Sequence, residues 1–409
     1  MSLSPELLER IRAGAAERDR SRELPRELVA EVLASGLPAA RVPASAGGAG
    51  ASLADLTDQL ITLAAADSNI AHVFRGHLAV IEQQFFEPDE ERRAIWYRRV
   101  LSGSLVGNAQ SELTATSDLA TTLSDDGDGL RLNGRKYYTT GSIYADWIDL
   151  SARHGDEDVQ VLVATRDRGV ESIDDWRGFG QRLTGSGTTT FSEVAVDPSD
   201  VRPYSADHDG FRHPYLMGFF QLVLLAVVAG IGRAVVDDAV AYVQPRRRIF
   251  GYAGEALPRE HPLVQSIVGE LSADAFAVRA VTLEAARSLD RALDAYLDGR
   301  GDPDAFTRAQ LDVYRAQQTV LPTVVNAASR LFEVGGASAV DSELALDRHW
   351  RNARTVATHN PAVHRQRAVG DWELNGTPPG WAVTAGTAAG KTANAETPNA
   401  ETPKAEARA

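Results

Sequence analysis

The chain has 409 residues, 44% hydrophobic and 24% charged, a composition that suits a globular protein of two or three domains. It contains no cysteine, which excludes disulfide scaffolds, thiolate nucleophiles, iron–sulfur clusters and thiolate zinc sites. With 42 Lys+Arg against 56 Asp+Glu the net charge is −14, a poor match to nucleic acid or an anionic membrane.

The first twenty or so residues are charged throughout and lack the apolar core of a signal peptide. Residues 4 to about 100 read as helices. Ser4-Pro5-Glu6 is a helix start, with an oxygen cap, a proline at the first position and an acid at the positive end of the dipole. Pro25–Leu33 predicts a second helix, with Gly36 placed to end it in a left-handed conformation. Residues 53–64 carry apolar side chains three and four apart, another helix. Gly47, Gly48 and Gly50 form a turn rather than a phosphate cradle.

From about 105 to 205 the period changes toward two. Asn133-Gly134, between strand-like runs, predicts a hairpin turn. Trp147–Leu150, Val159–Ala164 and Thr188–Val196 read as strands, and Pro198 and Pro203 mark an exit.

Helical periodicity returns from about 210 to 372. Tyr215–Gly232 is long and apolar enough to raise the membrane question. It contains Gln221 and runs on through Arg233, Asp237 and Asp238, so a buried bundle helix is expected, in a cytoplasmic protein. From Thr377 the chain turns Ala/Thr/Pro-rich and repeats NAETP, a composition expected to stay disordered. Its AGTAAGKT is not a P-loop: the first glycine, Gly386, falls one position late and no strand precedes it. The expected fold is α+β: an N-terminal α-helical domain (1–104), a middle β-barrel-like domain (105–207), a C-terminal four-helix bundle (208–376) and a disordered tail (377–409).

Six local patterns, in order, resemble the acyl-CoA dehydrogenase superfamily over residues 1–376. They are Val42-Pro43 with Gly47-Gly48-Ala49-Gly50, Asn133-Gly134-Arg135-Lys136-Tyr137-Tyr138-Thr139-Thr140-Gly141, Leu183–Thr188 with Phe191, Phe250-Gly251, Val334-Gly335-Gly336-Ala337, and Trp350-Arg351-Asn352-Ala353-Arg354. The dehydrogenases follow the last motif with a proton-abstracting glutamate. Here Thr355–Pro361 has Asn360 at that position, and an amide does not take a proton at neutral pH.

The replacement, His359-Asn360-Pro361, resembles the flavin-dependent monooxygenase branch typified by dibenzothiophene monooxygenase. Arg75-Gly76-His77-Leu78, Gly107-Asn108-Ala109-Gln110-Ser111-Glu112, and Asp174-Asp175-Trp176 with Gly180 match further marks of that branch. The resemblance implies a two-component monooxygenase. A separate NAD(P)H:flavin reductase would supply reduced FMN, with FAD left open, since no nicotinamide fingerprint occurs in this chain. Oxygen would form a C4a-hydroperoxide and oxygenate a small, largely apolar molecule at sulfur, nitrogen or an aromatic carbon. An acyl-CoA dehydrogenase or oxidase with a relocated base is the alternative. The family is typically a homotetramer.

The resemblance assigns His77 and His359 to the peroxide and Thr140 to the flavin ring. It assigns Asn108, Trp176, Ser186, Arg248, Gly335 and Gly336 to the cofactor. By residue type alone these have ordinary readings: a core histidine, a strand threonine, a turn asparagine, a core tryptophan, and a solvated charge run at Arg246-Arg247-Arg248. His72 and His77 are five apart and do not share a helix face, as is also true of His359 and His364, so no metal site is expected. Ser338 stands where the branch has an arginine after the glycine turn.

Overall fold

The computed structural model describes residues 3–113, 119–203, 210–248 and 257–380. The Phe250-Gly251 landmark and the tail from residue 381 lie outside them. The helices before the sheet are α1 (Pro5–Ala13), α2 (Ala15–Ser21), α3 (Arg26–Ala34), α4 (Leu53–Ala66), α5 (Ser68–Val73), α6 (Arg75–Gln83) and α7 (Glu90–Leu101). As the sequence suggests, Ser4 Oγ accepts from the Leu7 N–H at 3.1 Å to start α1, and Gly36 adopts φ 77° just past α3. Asp67 both ends α4 and caps α5, its side chain accepting from the Asn69 N–H at 3.0 Å.

The sheet holds β1 (Val106–Ala109), β2 (Thr122–Asp125), β3 (Leu130–Lys136), β4 (Trp147–His154), β5 (Glu157–Ala164), β6 (Val170–Ile173), β7 (Thr188–Val196) and β8 (Val201–Pro203). Its order is β6-β7-β3-β2-β4-β5-β8, and β1 pairs with β4 in parallel. The hairpin expected at Asn133-Gly134 does not form. β3 runs straight through it, antiparallel to both β2 and β7, with a register shift between Leu132 and Gly134. Gly134 takes φ 155° and packs against Thr121, so the Asn-Gly pair makes a β-bulge instead. Asn133 accepts from the Glu193 N–H at 2.8 Å across the bulge.

Then come α8 (Arg212–Val243), α9 (Pro262–Leu297), α10 (Pro303–Arg330), α11 (Asp347–Ala357) and α12 (Ala362–Asn375). α8 contains the apolar stretch, and 89% of its most apolar window is buried inside the protein, as expected of a bundle helix. The two helical regions share one hydrophobic core. Ile61 and Ala64 of α4 join Val227 and Ile231 of α8, Val278 of α9 and Val324 of α10. Asp290 of α9 reinforces the union by accepting from the Leu53 and Ala54 N–H groups at 2.7 and 2.9 Å, at the start of α4. The sheet has its own core, around Leu132, Ile148, Val161, Phe191 and Val194. The interest therefore lies at the seam, where α5, α6 and α11 meet the loops on either side of β3 and β7.

Candidate active site

α5 is buried along its whole length. Its His72 places Nδ1 3.0 Å from Gln181 Oε1, while Nε2 is buried without a hydrogen-bond partner. The ring faces that of His359, just past α11, with centroids 6.2 Å apart and planes tilted by 59°. Burial, reinforced by the Arg75 charge, holds the His72 imidazole down to about 4, with the Gln181 hydrogen bond opposing. Packing around His359, then the Arg75 and His72 charges, lower it in the same direction, but this residue is exposed, so solvent offsets part of that effect. The His72 ring is neutral at pH 7. The Gln181 side chain donates through Nε2 to Ser68 Oγ at 3.0 Å, so its carbonyl accepts from His72 Nδ1–H.

His77 does not take part in this pair. Its ring is fully buried, Nδ1 accepts from the Val106 N–H at 3.2 Å, and its edge meets Phe74 at 6.5 Å. The physical reason is spacing. Five helical residues rotate a side chain by about 140°, and the chain also breaks at Phe74, where α5 ends before α6 begins. His77 ties α6 to β1; His72 is the imidazole opposite His359.

Hydroxyls lie along the same network. Thr140 Oγ1 is 2.6 Å from Ser186 Oγ, which is 2.7 Å from Thr184 Oγ1, and Thr184 donates to the Gln181 carbonyl at 2.9 Å. Thr140 and Ser186 are both buried. Gln181 itself adopts φ 52°, an uncommon conformation for a residue with a side chain. Its N–H donates to Asn352 Oδ1 at 2.6 Å, and the preceding Gly180 sits so close to the Arg351 carbonyl that no Cβ fits. Arg351 is in turn paired with buried Asp19 at 2.5 Å. The loop before β7 is thus fastened to α11.

Trp176 is half-buried. Its Nε1 donates to the Gly180 carbonyl at 3.2 Å, and its ring lies 6.3 Å from Tyr137 and 6.0 Å from Tyr138. Asn108, on β1, leaves a buried Oδ1 without a partner. Asn360 Nδ2 donates to Gln221 Oε1 at 3.3 Å, and Gln317 Nε2 donates to the same oxygen at 3.3 Å. Among the described residues no carboxylate contacts His72 or His359.

The glycine turn lies elsewhere. Gly335 packs on the Tyr242 ring, and Gly336 takes φ 59°. Tyr242 and Gln221 are 21 residues apart on α8, about 31 Å at 1.5 Å per residue. Within one chain, Gly335 and Gly336 are therefore not brought to the imidazoles. Nor is Arg248 at the turn: it is exposed and makes no hydrogen bond or ion pair among the described residues. Arg246 is there instead. Four residues past Tyr242, it folds back with its guanidinium 4.5 Å from the ring centroid and donates to Ser338 Oγ at 2.8 Å. Ser338, which stands where the branch has an arginine, thus seats one from α8's exit. Sequence reading also passed over Arg75 and Gln181. Arg75 had a visible signal, a lone charge in an apolar run; Gln181 had none.

Family models describing the acyl-CoA dehydrogenase N-terminal and C-terminal domains match residues 7–104 and 222–363. A dibenzothiophene monooxygenase of Mycolicibacterium goodii is 30% identical over 397 residues, covering 92% of this chain and 93% of that one. The chain belongs to the flavin-dependent monooxygenase branch of the acyl-CoA dehydrogenase superfamily. A second member of this branch, a probable FMNH2-dependent monooxygenase, SfnC, of Pseudomonas putida, is 29% identical, with 93% and 95% of the two chains covered. The structure resembles FMN-bound TdsC from Paenibacillus sp. A11-2 with a TM-score of 0.84 at 29% identity, covering 91% of this chain and 96% of that one.

Proposed function

We propose that the protein is an FMN-dependent monooxygenase that transfers one oxygen atom of O2 to a small organic substrate at sulfur, nitrogen or an aromatic carbon. A separate NAD(P)H:flavin reductase supplies the reduced FMN. The observation that carries the reading is an imidazole pair, buried neutral His72 opposite His359, joined through Gln181 to a hydroxyl network, with no carboxylate hydrogen-bonded to either ring among the described residues. The acyl-CoA dehydrogenase alternative lacks that base here.

The residues fit FMN. Asn108 offers an unpartnered buried acceptor to a ring N–H, Thr140 and Ser186 offer hydroxyls, and Trp176 offers an aromatic surface. Reduced FMN, when bound, activates dioxygen and carries the atom to be transferred. The chain's part is to manage protons and exclude water. Because His72 Nδ1–H is committed to Gln181, its buried Nε2 is a bare acceptor, on a ring whose centroid lies 6.2 Å from that of His359. Held near 4, it can accept a hydrogen bond from a protonated oxygen at pH 7 without becoming charged. Because Thr184 donates to the Gln181 backbone carbonyl, Ser186 donates to Thr184 and Thr140 donates to Ser186. Thr140 would therefore offer the flavin its hydroxyl oxygen as an acceptor for a ring N–H.

We further propose a cytoplasmic homotetramer. A ribityl chain does not bridge about 31 Å, so Gly335, Gly336 and Arg246 serve the flavin of a neighbouring copy. Exposed Leu263 and Phe276 on α9, and Val363 and Leu374 on α12, are suited to packing between copies.

Rapid mixing of the anaerobic reduced-FMN complex with O2 tests the oxygenase reading. The expected result is a long-lived, oxygen-dependent flavin absorbance before reoxidation, and one labelled oxygen atom in the product. Anaerobic bleaching of oxidised flavin by an acyl-CoA would overturn it.

A further inference from the structure

Arg75 opens α6 directly beside the imidazole pair. Its Nε donates to the Phe220 carbonyl of α8 at 3.2 Å, and its guanidinium lies 5.0 Å from the centroid of the Phe220 ring. Among the described residues no carboxylate lies within ion-pair distance, and neither Nη nitrogen has a hydrogen-bond partner, although both keep solvent access. Three other enclosed arginines differ, although Arg182 and Arg246, half-buried like Arg75, also lack a carboxylate and bond instead to the Asp19 carbonyl and to the Tyr242 and Ser338 hydroxyls. Arg41 is paired with Glu82 at 2.8 Å, Arg18 with Asp67 at 2.8 Å, and Arg351 with Asp19 at 2.5 Å. Arg41 and Arg351 are accordingly held above their ordinary range, whereas burial lowers Arg75 to about 10.

A half-buried cation without a counter-ion loses part of its hydration, and one backbone carbonyl and a ring face replace that only in part. Two Nη groups in one plane make the fork that suits an oxyanion. The Arg75 charge also bears on both His72 and His359, so its guanidinium lies near that pair. The Phe220 ring lies against the guanidinium as an apolar wall.

We propose that Arg75 anchors the substrate through a carboxylate, sulfinate or sulfonate group, so that the substrate is a small organic anion rather than the largely apolar molecule the sequence led us to expect. The location of the substrate rests on the oxygenase reading. The anion subsite itself does not, because it can be measured without turnover.

The test uses the full-length, flavin-free protein and its Arg75→Met and Arg75→Lys variants. Thermal unfolding and titration calorimetry are run with benzenesulfinate and benzoate, and with their neutral counterparts methyl phenyl sulfoxide and benzamide. The wild type is expected to bind at least one anion about tenfold or more tightly than its neutral counterpart. Arg75→Met should lose that preference, and Arg75→Lys should keep part of it. Ligand-free Arg75→Met should unfold at the same temperature as the wild type or higher, since an unpaired, partly desolvated charge is removed. FMN affinity should stay within about twofold of wild type. Equal binding of anion and neutral partner, or no binding of either anion, would overturn the proposal. So would an Arg75→Met variant that keeps the anion preference, unfolds earlier or fails to fold, or loses FMN. The first outcomes deny the subsite, earlier unfolding makes the arginine structural, and loss of FMN makes it a flavin anchor. The oxygenase reading survives any of these results, because it stands on the reaction of reduced FMN with O2.

Discussion

Near the start of α8, Phe220 and Gln221 reach a cluster that one chain assembles by itself: Arg75, His72, His359 and Asn360, drawn from α5, α6 and the end of α11. Near its end, Tyr242 meets Gly335, Ser338 and Arg246, a basic turn with no imidazole and no flavin-ring contact of its own. Only His72 in the near cluster is buried, with a neutral imidazole, so the free energy of this end depends on keeping that ring unprotonated, while Arg75 and Asn360 are half-buried and His359 is exposed. The far cluster is open, and its free energy depends on what approaches it. One helix therefore carries an imidazole cluster near one end and an open basic turn near the other.

Acid should separate the two ends most strongly. His72 and His77 titrate at an ordinary 6.5 in the unfolded chain and at about 4 when folded. Between those values the unfolded state holds more protons, so stability is full above pH 6.5 and is lost as the pH falls toward 4. The loss is on the order of 3 kcal/mol per imidazole at most. Hydrogen exchange, corrected for its intrinsic pH dependence, should reveal falling protection in α5 and α6 across that window, while residues 331–346 change less. Equal loss at both ends would show that the imidazoles are not what acid attacks.

Exchanging one histidine for the other sharpens the same contrast within the near end. His72→Ala removes the bare acceptor opposite His359 and should divert reduced FMN to hydrogen peroxide, lowering product per flavin oxidised by roughly 100-fold. His77→Ala strands the Val106 N–H in the core and should cost about 1–3 kcal/mol of stability with coupling unchanged. Product and peroxide yields, measured beside chemical denaturation, decide it. A His77→Ala variant that uncouples while His72→Ala does not would restore the sequence-based assignment.

That reversal marks how far the sequence carries. The order helices, sheet, helices was legible because hydrophobic period changes twice and motifs occur in register with those changes. The buried fate of Tyr215–Gly232 was legible from Gln221 and the charges that follow it. The absence of a carboxylate at Asn360 was legible because it is a chemical statement. That His72, not His77, lies opposite His359 was not, since it turns on a helix break at Phe74 that no residue type announces. The Asn133-Gly134 bulge was misread because the same dipeptide serves a hairpin or a bulge, and only the flanking partners β2 and β7 decide. Gln181 was invisible because its role comes from contacts with Ser68, His72 and Asn352, which lie 113, 109 and 171 residues away.

The far end provides the smallest expected effect and the most direct check on its being half a site. Arg246 stands over Tyr242 and is seated by Ser338, whereas Arg248 extends into solvent. If this turn holds an anionic part of FMN, Arg246→Ala should weaken FMN binding about tenfold, near 1.4 kcal/mol, the scale of one charge-assisted hydrogen bond. Arg248→Ala should change it by less than about twofold. The effect of Arg246→Ala should also depend on assembly. Equilibrium titration on samples diluted until the oligomer dissociates should find wild type and variant alike, because a turn about 31 Å from the imidazoles cannot reach the flavin that its own chain holds. A difference that persists in the monomer would mean that the turn acts on FMN within one chain, and the two ends of α8 would then belong to a single site.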